Sequence, residues 1–368
     1  DTVSLIDCVL NGVVTYPYTV YKKVVQVSPA SIATEATAGL LSCDGYWVPQ
    51  EVFPYSKIDD AATALREALE GYVKRITENM EEIGQFLSGG EDSRALVGVI
   101  PRRLRRDAFI FLDSMNREGR IAEKAARAYG ANFHVGLRSP THYLEILEEA
   151  SDLVGIGHQY LHAHSLGFEK VCGLREYAAV FGGYSADGLL KGLYARKLRG
   201  SSRFCFVPEI FVHGETRTAP VRCALFAAGD LAEIDERRLG HMRRVLRIRP
   251  ISAHEWFVIW PSTMRCAIPY LYCNRRLFRS YEAFLCNDVV KISATVPTTW
   301  KLNRRLFNST VRPYLEPAKW LVHGDGRYPY FPWWFNMPVQ CCVRSCRHVV
   351  RLLGVARRGQ GRGLSGIM

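Results

Sequence analysis

The stretch Phe86-Leu87-Ser88-Gly89-Gly90-Glu91-Asp92-Ser93-Arg94-Ala95-Leu96 restricts this chain to few architectures. The apolar run Ile83 to Leu87 reads as a buried strand that feeds a Ser-Gly-Gly turn and then a helix-forming segment. A turn of this kind presents backbone N–H groups at a helix N-terminus, where partial positive charge favours a phosphate or pyrophosphate. Gly89 and Gly90 let the main chain approach the anion with no Cβ in the way. Asp92 is placed to hold a magnesium ion bridging phosphate oxygens, and the Ser88 and Ser93 hydroxyls to donate to the same phosphates. No lysine closes the loop, so it is not the GxxxxGK[ST] type. Taken alone, Ser-Gly-Gly has a plainer reading as well, the cap of an ordinary helix.

Downstream of the loop, strand and helix alternate. A helix to about Val99 and the basic connection Arg102-Arg103-Leu104-Arg105-Arg106 lead to a strand, Ala108 to Leu112. A second helix, about Glu118 to Tyr129, ends at Gly130, a suitable C′ residue, and the strand Asn132 to Leu137 comes next. That βαβαβ order predicts an α/β fold with a parallel sheet and right-handed crossovers. Ligands of such sheets bind at the carboxyl ends of the strands, where Ser88 to Asp92 lie. Upstream, Ile58 to Glu82 carries Ala61, Leu65, Leu69, Val73 and Ile76 at helical spacing. Residues 1–55 are rich in β-branched and aromatic residues (Val13-Val14-Thr15-Tyr16, Thr19 to Val25) and read as short antiparallel strands. Helical periodicity returns over Tyr143 to Leu153 and around His158 to Glu169, and residues beyond 230 read mostly helical. After Pro338, Val339 to Val355 forms an amphipathic basic helix, and Gly359 to Met368 a disordered tail. The expected organisation is therefore a partial β domain over 1–55, the α/β domain over 56–338 and a basic helix and tail over 339–368.

Composition narrows the setting. At 368 residues the chain buries a substantial core, and no segment approaches the roughly 20 consecutive apolar residues that span a bilayer. Eleven cysteines with no framework of spacings point to reduced thiols in a cytoplasmic protein. The net charge of +12 admits nucleic acid, an anionic membrane or anionic substrates as partners, but part of it sits in Arg344, Arg347, Arg351, Arg357, Arg358 and Arg362, a solvated basic tail. The start at Asp1 shows neither an initiator Met nor a signal peptide, so the sequence reads as a fragment or as numbered within a longer product.

A second segment, Val180-Phe181-Gly182-Gly183-Tyr184-Ser185-Ala186-Asp187-Gly188-Leu189-Leu190-Lys191-Gly192, repeats the logic of the first: strand, glycines, an acid, then an apolar helical stretch. The first motif resembles the SGGxDS pyrophosphate loop of ATP pyrophosphatases. The pair resembles the asparagine synthetase family, in which a G-x-G-A-D-E-type motif comes second and its aspartate is the second magnesium ligand; Gly183, Ala186 and Asp187 match it. Glu282 to Asp288 through Pro297 and Lys301 is similar to that family's "PFLD" and "LPxxxK" segments, and Leu306 through Lys319 to the stretch after them. Thr19 to Val24 with Tyr46-Trp47 resembles the end of the family's glutaminase domain, giving a likeness over roughly residues 10–335.

The resemblance implies an ATP-pyrophosphatase fold and ATP-dependent amide synthesis. A substrate carboxylate attacks the α-phosphate of ATP, and an amine or ammonia then displaces AMP. Ser88, Gly89, Gly90 and Ser93 would cradle the pyrophosphate, Asp92 and Asp187 would hold Mg2+, and Leu87 with Phe111-Leu112 would wall the adenine, which Gly183 lets the backbone approach. The family's late lysine, which neutralises charge on the α-phosphate, maps to Lys319, with Lys301 and Lys191 as rivals. Four positions depart from the family, one of them Gly188, which stands where asparagine synthetases carry a further Glu. The chain begins with Asp1 rather than a nucleophilic cysteine, and Cys8 sits among what look like the glutaminase domain's last strands, so nothing in this sequence supports glutamine hydrolysis; a homodimer or a separate glutaminase partner is compatible with it. Tyr184 stands where asparagine synthetases carry Glu, as in the related β-lactam and carbapenam synthetases, in which an internal amine attacks the adenylate. Arg94 replaces a small residue. Two further readings stay open: an RNA-modifying pyrophosphatase, although no CxxC pair occurs, and a non-catalytic nucleotide-binding scaffold. His158 and His162, at i,i+4, lack the Glu of a zinc protease, Cys341, Cys342, Cys346 and His348 match no zinc module, and no zinc is expected. Tyr328 to Phe335 is an aromatic-proline loop that either lines an entrance or docks the last helix.

Overall fold

The computed structural model describes residues 1–35, 41–156, 158–201, 207–213, 220, 222–261, 264 and 267–352. At its centre lies a five-stranded sheet: β3 (Glu82–Phe86), β4 (Arg105–Leu112), β5 (Asn132–Leu137), β6 (Val180–Gly182) and β7 (Ser280–Glu282). Its order is β5-β4-β3-β6-β7 and every pair is parallel. From β3 the chain steps outward to β4 and β5, then returns to lay β6 on the other side of β3. β3 is thus the point where the winding reverses. A small antiparallel hairpin, β1 (Ser31–Glu35) with β2 (Leu41–Gly45), stands apart.

Alternation along β4 shows how the sheet is covered. Ala108, Ile110 and Leu112 pack with Val97 and with Ala122, Ala125 and Ala126 of α4 (Arg117–Tyr129). Phe109 faces the opposite layer, with Ile146, Leu166, Leu174, Val180 and Phe278. Successive side chains point to opposite faces, so a strand covered on both sides reads as one continuous apolar run. α4 starts where Asn116 accepts from the N–H groups of Glu118 and Gly119 and stops at Gly130, whose φ is 68°, a left-handed turn that glycine enters without cost. α2 (Ile58–Thr77) buries Ala61, Leu65, Leu69 and Val73, one per turn, against Ile83, Phe181 and Phe307. Each such leucine or valine contributes roughly 1.5–3 kcal/mol of burial free energy. No helix among the described residues is long and apolar enough to cross a membrane.

The N-terminal region departs from the expectation of strands. Residues 2–11 form a helix, α1 (Thr2–Asn11), and Cys8 lies on it. The stretch 13–25 forms no strand; among the described residues of this region only β1 and β2 pair as antiparallel sheet. Side-chain acceptors replace a ladder there: buried Asp7 takes the backbone N–H and hydroxyl of Thr15 at 2.7 and 2.6 Å. Arg237, on the helix Ala228–Ile248, donates to Asp1 at 2.8 Å and fixes α1 to the body of the protein. Two other expectations shift. His158 to Glu169 is not one helix but a 3-10 turn (Tyr160–Ala163) and a helical turn (Phe168–Val171), separated near Gly167, whose φ is 88°. The last helix begins at Trp333, before Pro338, and runs to Leu352. Asn336 on it bonds Tyr328 through backbone N–H and carbonyl, and also the Phe331 carbonyl, which docks the aromatic-proline loop on that helix. The expected tail over 359–368, with Arg357, Arg358 and Arg362, lies outside the described residues.

α3 (Glu91–Val99) crosses the helix Arg305–Leu315 closely, and Gly98 is the reason it can. A Cβ at Gly98 would stand 2.4 Å from the Tyr314 carbonyl oxygen and 2.6 Å from its Cβ. Gly98→Ala should therefore destabilise the fold by about 1–3 kcal/mol through overpacking, against the roughly 1 kcal/mol that alanine gains over glycine in an open helix. Urea denaturation monitored by circular dichroism gives the sign.

Candidate functional site

The carboxyl ends of β3 and β6 are neighbours, Gln85 opposite Phe181, so the two glycine motifs leave the sheet side by side at its point of reversal. A crevice at that place is where open parallel sheets receive ligands. Gly183 sets the spacing. Its Cβ, were there one, would lie 3.2 Å from the Ser93 nitrogen and 3.3 Å from the Asp92 carbonyl carbon, so the second motif rests directly on the first turn of α3.

The first loop is tied to itself. The Ser88 N–H donates to Ser93 Oγ at 3.1 Å and the Gly90 N–H to Ser88 Oγ at 3.0 Å, and the two hydroxyls are 3.2 Å apart. Gly90 begins α3 without a side-chain cap, leaving the first-turn N–H groups and the positive end of the helix dipole to an incoming anion. Arg94 closes the loop from below. Its guanidinium donates to the carbonyls of Gly89, Leu321 and Val322 at 2.8, 2.9 and 2.7 Å, joining the loop to the chain beyond Lys319.

Glu91, Asp92 and Asp187 converge on the ammonium of Lys191. Nζ stands 3.0 Å from Glu91 Oε1 and 2.9 Å from Asp187 Oδ1, and it is in direct contact with Asp92 Oδ1. Glu91 also receives Arg304 Nε at 2.7 Å and Arg327 Nη1 at 3.5 Å. Burial works against ionising Glu91, but Lys191, Arg327 and Arg304 overcome it and hold the carboxyl well below its ordinary range. Burial would likewise lower Lys191; Asp92, Glu91 and Asp187 outweigh it and keep the ammonium charged. Burial pushes Asp92 upward, Lys191 pulls it back, and Asp187 and Glu91 add to the rise. Arg304 reaches Glu91 from a left-handed backbone, φ 57°, next to Asn303 at φ 52°. Glu209 holds that turn, accepting the Asn303 N–H at 2.8 Å and donating its own N–H to Asn303 Oδ1 at 2.9 Å.

Of the residues singled out from sequence, Ser88, Gly89, Gly90, Asp92, Ser93, Gly183 and Asp187 meet at this one place. Leu87 is buried beneath α4 with Val97 and Ile110. Lys319 does not join the carboxylates; it is half-exposed just after a 3-10 turn and bonds Glu316, three residues back, at 2.7 Å. Lys301 is fully buried elsewhere, bonded to Glu255 at 2.7 Å and Ser293 at 3.2 Å. Sequence reasoning misses Glu91, Arg304 and Arg327: Glu91 fills the variable position of SGGxDS, and its two arginines come from distant segments. Tyr184 is half-buried, its ring 6.0 Å from Tyr270, which lies 4.9 and 5.1 Å from His162 and His164.

Two hard carboxylates directed at a single cation suit Mg2+, which is usually held by one or two carboxylates together with substrate phosphates and water. Asp92 and Asp187 meet that description. Among the described residues no group of three or more His, Cys, Asp or Glu side chains forms a cage without such help.

Glu282, at the end of β7, accepts the Tyr184 N–H at 3.0 Å and fills the space where a Gly182 Cβ would be, its Oε1 within 2.3 Å of that point. Burial pushes its carboxyl up to about 7 against the pull of that N–H and of Arg275. A carboxyl raised on folding stabilises fully below its unfolded value, and that contribution is lost as pH rises through the folded one. The parent chain should therefore lose on the order of 3 kcal/mol between pH 5 and 8 that Glu282→Gln does not lose. Denaturant titrations of both proteins across that window measure the difference, and parallel curves would refute the assignment.

No curated protein matches the chain. The profile of one family, asparagine synthase, matches residues 64–309, which takes in both glycine motifs, the whole parallel sheet and the Lys191 cluster as far as Arg304. By that match over two thirds of its length, the chain belongs to the asparagine synthase family, ligases that use ATP to form amide bonds.

Proposed function

We propose that the chain activates a substrate carboxylate by adenylation and transfers the acyl group to ammonia or an amine, releasing pyrophosphate and then AMP. The observation that carries this reading is the meeting of Asp92, Asp187 and Lys191 at the adjacent ends of β3 and β6. In the first step a carboxylate oxygen attacks the α-phosphorus and the bond to the β-phosphate oxygen breaks. The N–H groups of the first turn of α3, with Ser88 and Ser93, bind the departing pyrophosphate. Bound between Asp92 and Asp187, Mg2+ would neutralise phosphate oxygens. Lys191, rather than Lys319, supplies the protein's own cation, because it alone of the three candidate lysines touches the two acids. Positioning and charge neutralisation of this sort account for most of the catalysis in phosphoryl chemistry. In the second step the nitrogen attacks the acyl carbon, AMP leaves, and the nitrogen gives up a proton.

Tyr184 favours one narrower version, in which the amine belongs to the same molecule as the carboxylate and the product is cyclic. The ring stands where asparagine synthetases carry a glutamate, and it opens toward Tyr270, His162 and His164. Burial keeps both imidazoles neutral, lowering each to about 4, so this wall presents aromatic faces rather than a charged side chain to the acyl group. The other version takes free ammonia.

Pyrophosphate release in the presence of candidate carboxylates tests the activity. Asp92→Ala and Asp187→Ala should each slow it by about 10²-fold or more, and release as fast as in the parent chain would overturn the proposal. A product of the same mass with or without ammonia would identify the intramolecular version.

A further inference from the structure

We infer that Lys191 is an internal counter-cation competing with the divalent metal for Asp92 and Asp187, so that the nucleotide-free chain takes up no Mg2+ and the metal enters only together with ATP. The inference rests on the adenylation reading in one respect: it takes Asp92 and Asp187 as the metal-holding pair.

The charges around the cluster divide unequally. Glu91 has two guanidinium partners of its own, Arg304 and Arg327. Among the described residues Lys191 is therefore the cation left for Asp92 and Asp187, and its Nζ already lies at the point on which both acids are directed. An ammonium and a magnesium ion cannot share that point. Magnesium needs carboxylate oxygens at about 2.0–2.1 Å and dehydrates reluctantly, and a second cation in the same small space repels it strongly where water is scarce. Lys191 is almost fully enclosed, with its Nζ 4.5 Å from the centre of the Phe307 ring, so little solvent competes for its charge.

The same geometry leaves the ammonium a partner once the acids turn to the metal. Asp187 keeps 54% of its side chain exposed, whereas that of Lys191 is 6% exposed. The bond between them joins a surface acid to a buried base one helical turn away, and it opens by rotation of the acid alone. Glu91 is fixed from the other side by its arginines and retains the ammonium when Asp92 and Asp187 release it. Polyphosphate supplies negative charge as it arrives, which offsets the entry of a dication. Metal and nucleotide are then coupled: neither acid is free for metal until phosphate is present, and the apo site stays compact because the two like charges remain bridged.

The test is Mn2+ binding by the full chain, read from the electron paramagnetic resonance signal of the free ion, with and without an α,β-methylene ATP analogue. The parent should take up Mn2+ only when the analogue is present. Lys191→Met should take it up without nucleotide, about tenfold or more tighter than the parent, a change of about 1.4 kcal/mol or more. Equal nucleotide-free affinity in parent and variant would overturn the inference. If Lys191→Met does not fold, the parent decides with Asp187→Asn as reference. The two should be alike in showing no nucleotide-free site, and a parental site that Asp187→Asn loses would overturn it. The adenylation reading fails separately, if the analogue never binds at any Mn2+ concentration; analogue binding together with a tight nucleotide-free Mn2+ site removes the role of Lys191 alone.

Discussion

A carboxylate buried at the first turn of α3 organises everything around it. Glu91 has almost no exposed surface and is matched by three cations from three distant stretches: Lys191 after β6, Arg304 before the helix Arg305–Leu315, and Arg327 in the late loop. A carboxylate left out of water with no cation costs on the order of 3–5 kcal/mol. The three stretches that close over α3 together offset that cost. Closing them brings the acid of the second motif against the acid of the first. The site is thus a consequence of how a buried charge is neutralised, not an ornament on a finished scaffold.

The parallel sheet supplies the other half of that constraint. β6 is only three residues long, yet its pairing with β3 places Gly183 over Ser93 with little room for a methyl group. A longer strand would carry the second motif past the turn it must meet. A residue larger than glycine would push it away from that turn and stretch the ion pairs. Strand length, one glycine and one buried acid together fix the separation of Asp92 and Asp187 from the Lys191 ammonium, and none of the three achieves it alone.

This division of labour explains which parts of the molecule are legible in its sequence. The central fold is legible because each signal is local: apolar runs ending in glycine, an α2 stripe recurring every fourth residue, Gly130 stopping α4. Asp92 and Asp187 are legible for the same reason, since glycines and a helix after them mark both places. The N-terminal stretch misleads because β-branched residues signal a strand only where a partner strand exists, and Asp7 captures Thr15 instead. Lys319 is where the resemblance puts the family's lysine, but the chain after a 3-10 turn carries it toward the surface and Glu316 holds it there. Lys191 stands one helical turn after Asp187, a spacing that places the two on one face; the pairing is visible in the sequence, but its importance is not. Glu91 cannot be found from sequence, because what makes it decisive is two arginines more than two hundred residues away.

Tyr184 shows how far the edge of the sheet reaches into the candidate site. Its backbone is fixed by Glu282, the last residue of the edge strand β7, and Glu282 fits only because Gly182 has no side chain. A carboxyl raised to about 7 is a costly way to hold one N–H when a neutral amide would serve, unless its size and its two oxygens are needed to fill the space under the strand. The position of the phenol is then set from the edge of the sheet inward, independently of the Lys191 cluster that gathers the acids from the other side. Two supports that share no residue converge on one short segment, 183–187. The charge-neutralising wall and the aromatic wall of the site can consequently diverge separately, so that a substitution at Tyr184 leaves Asp92 and Asp187 where they are.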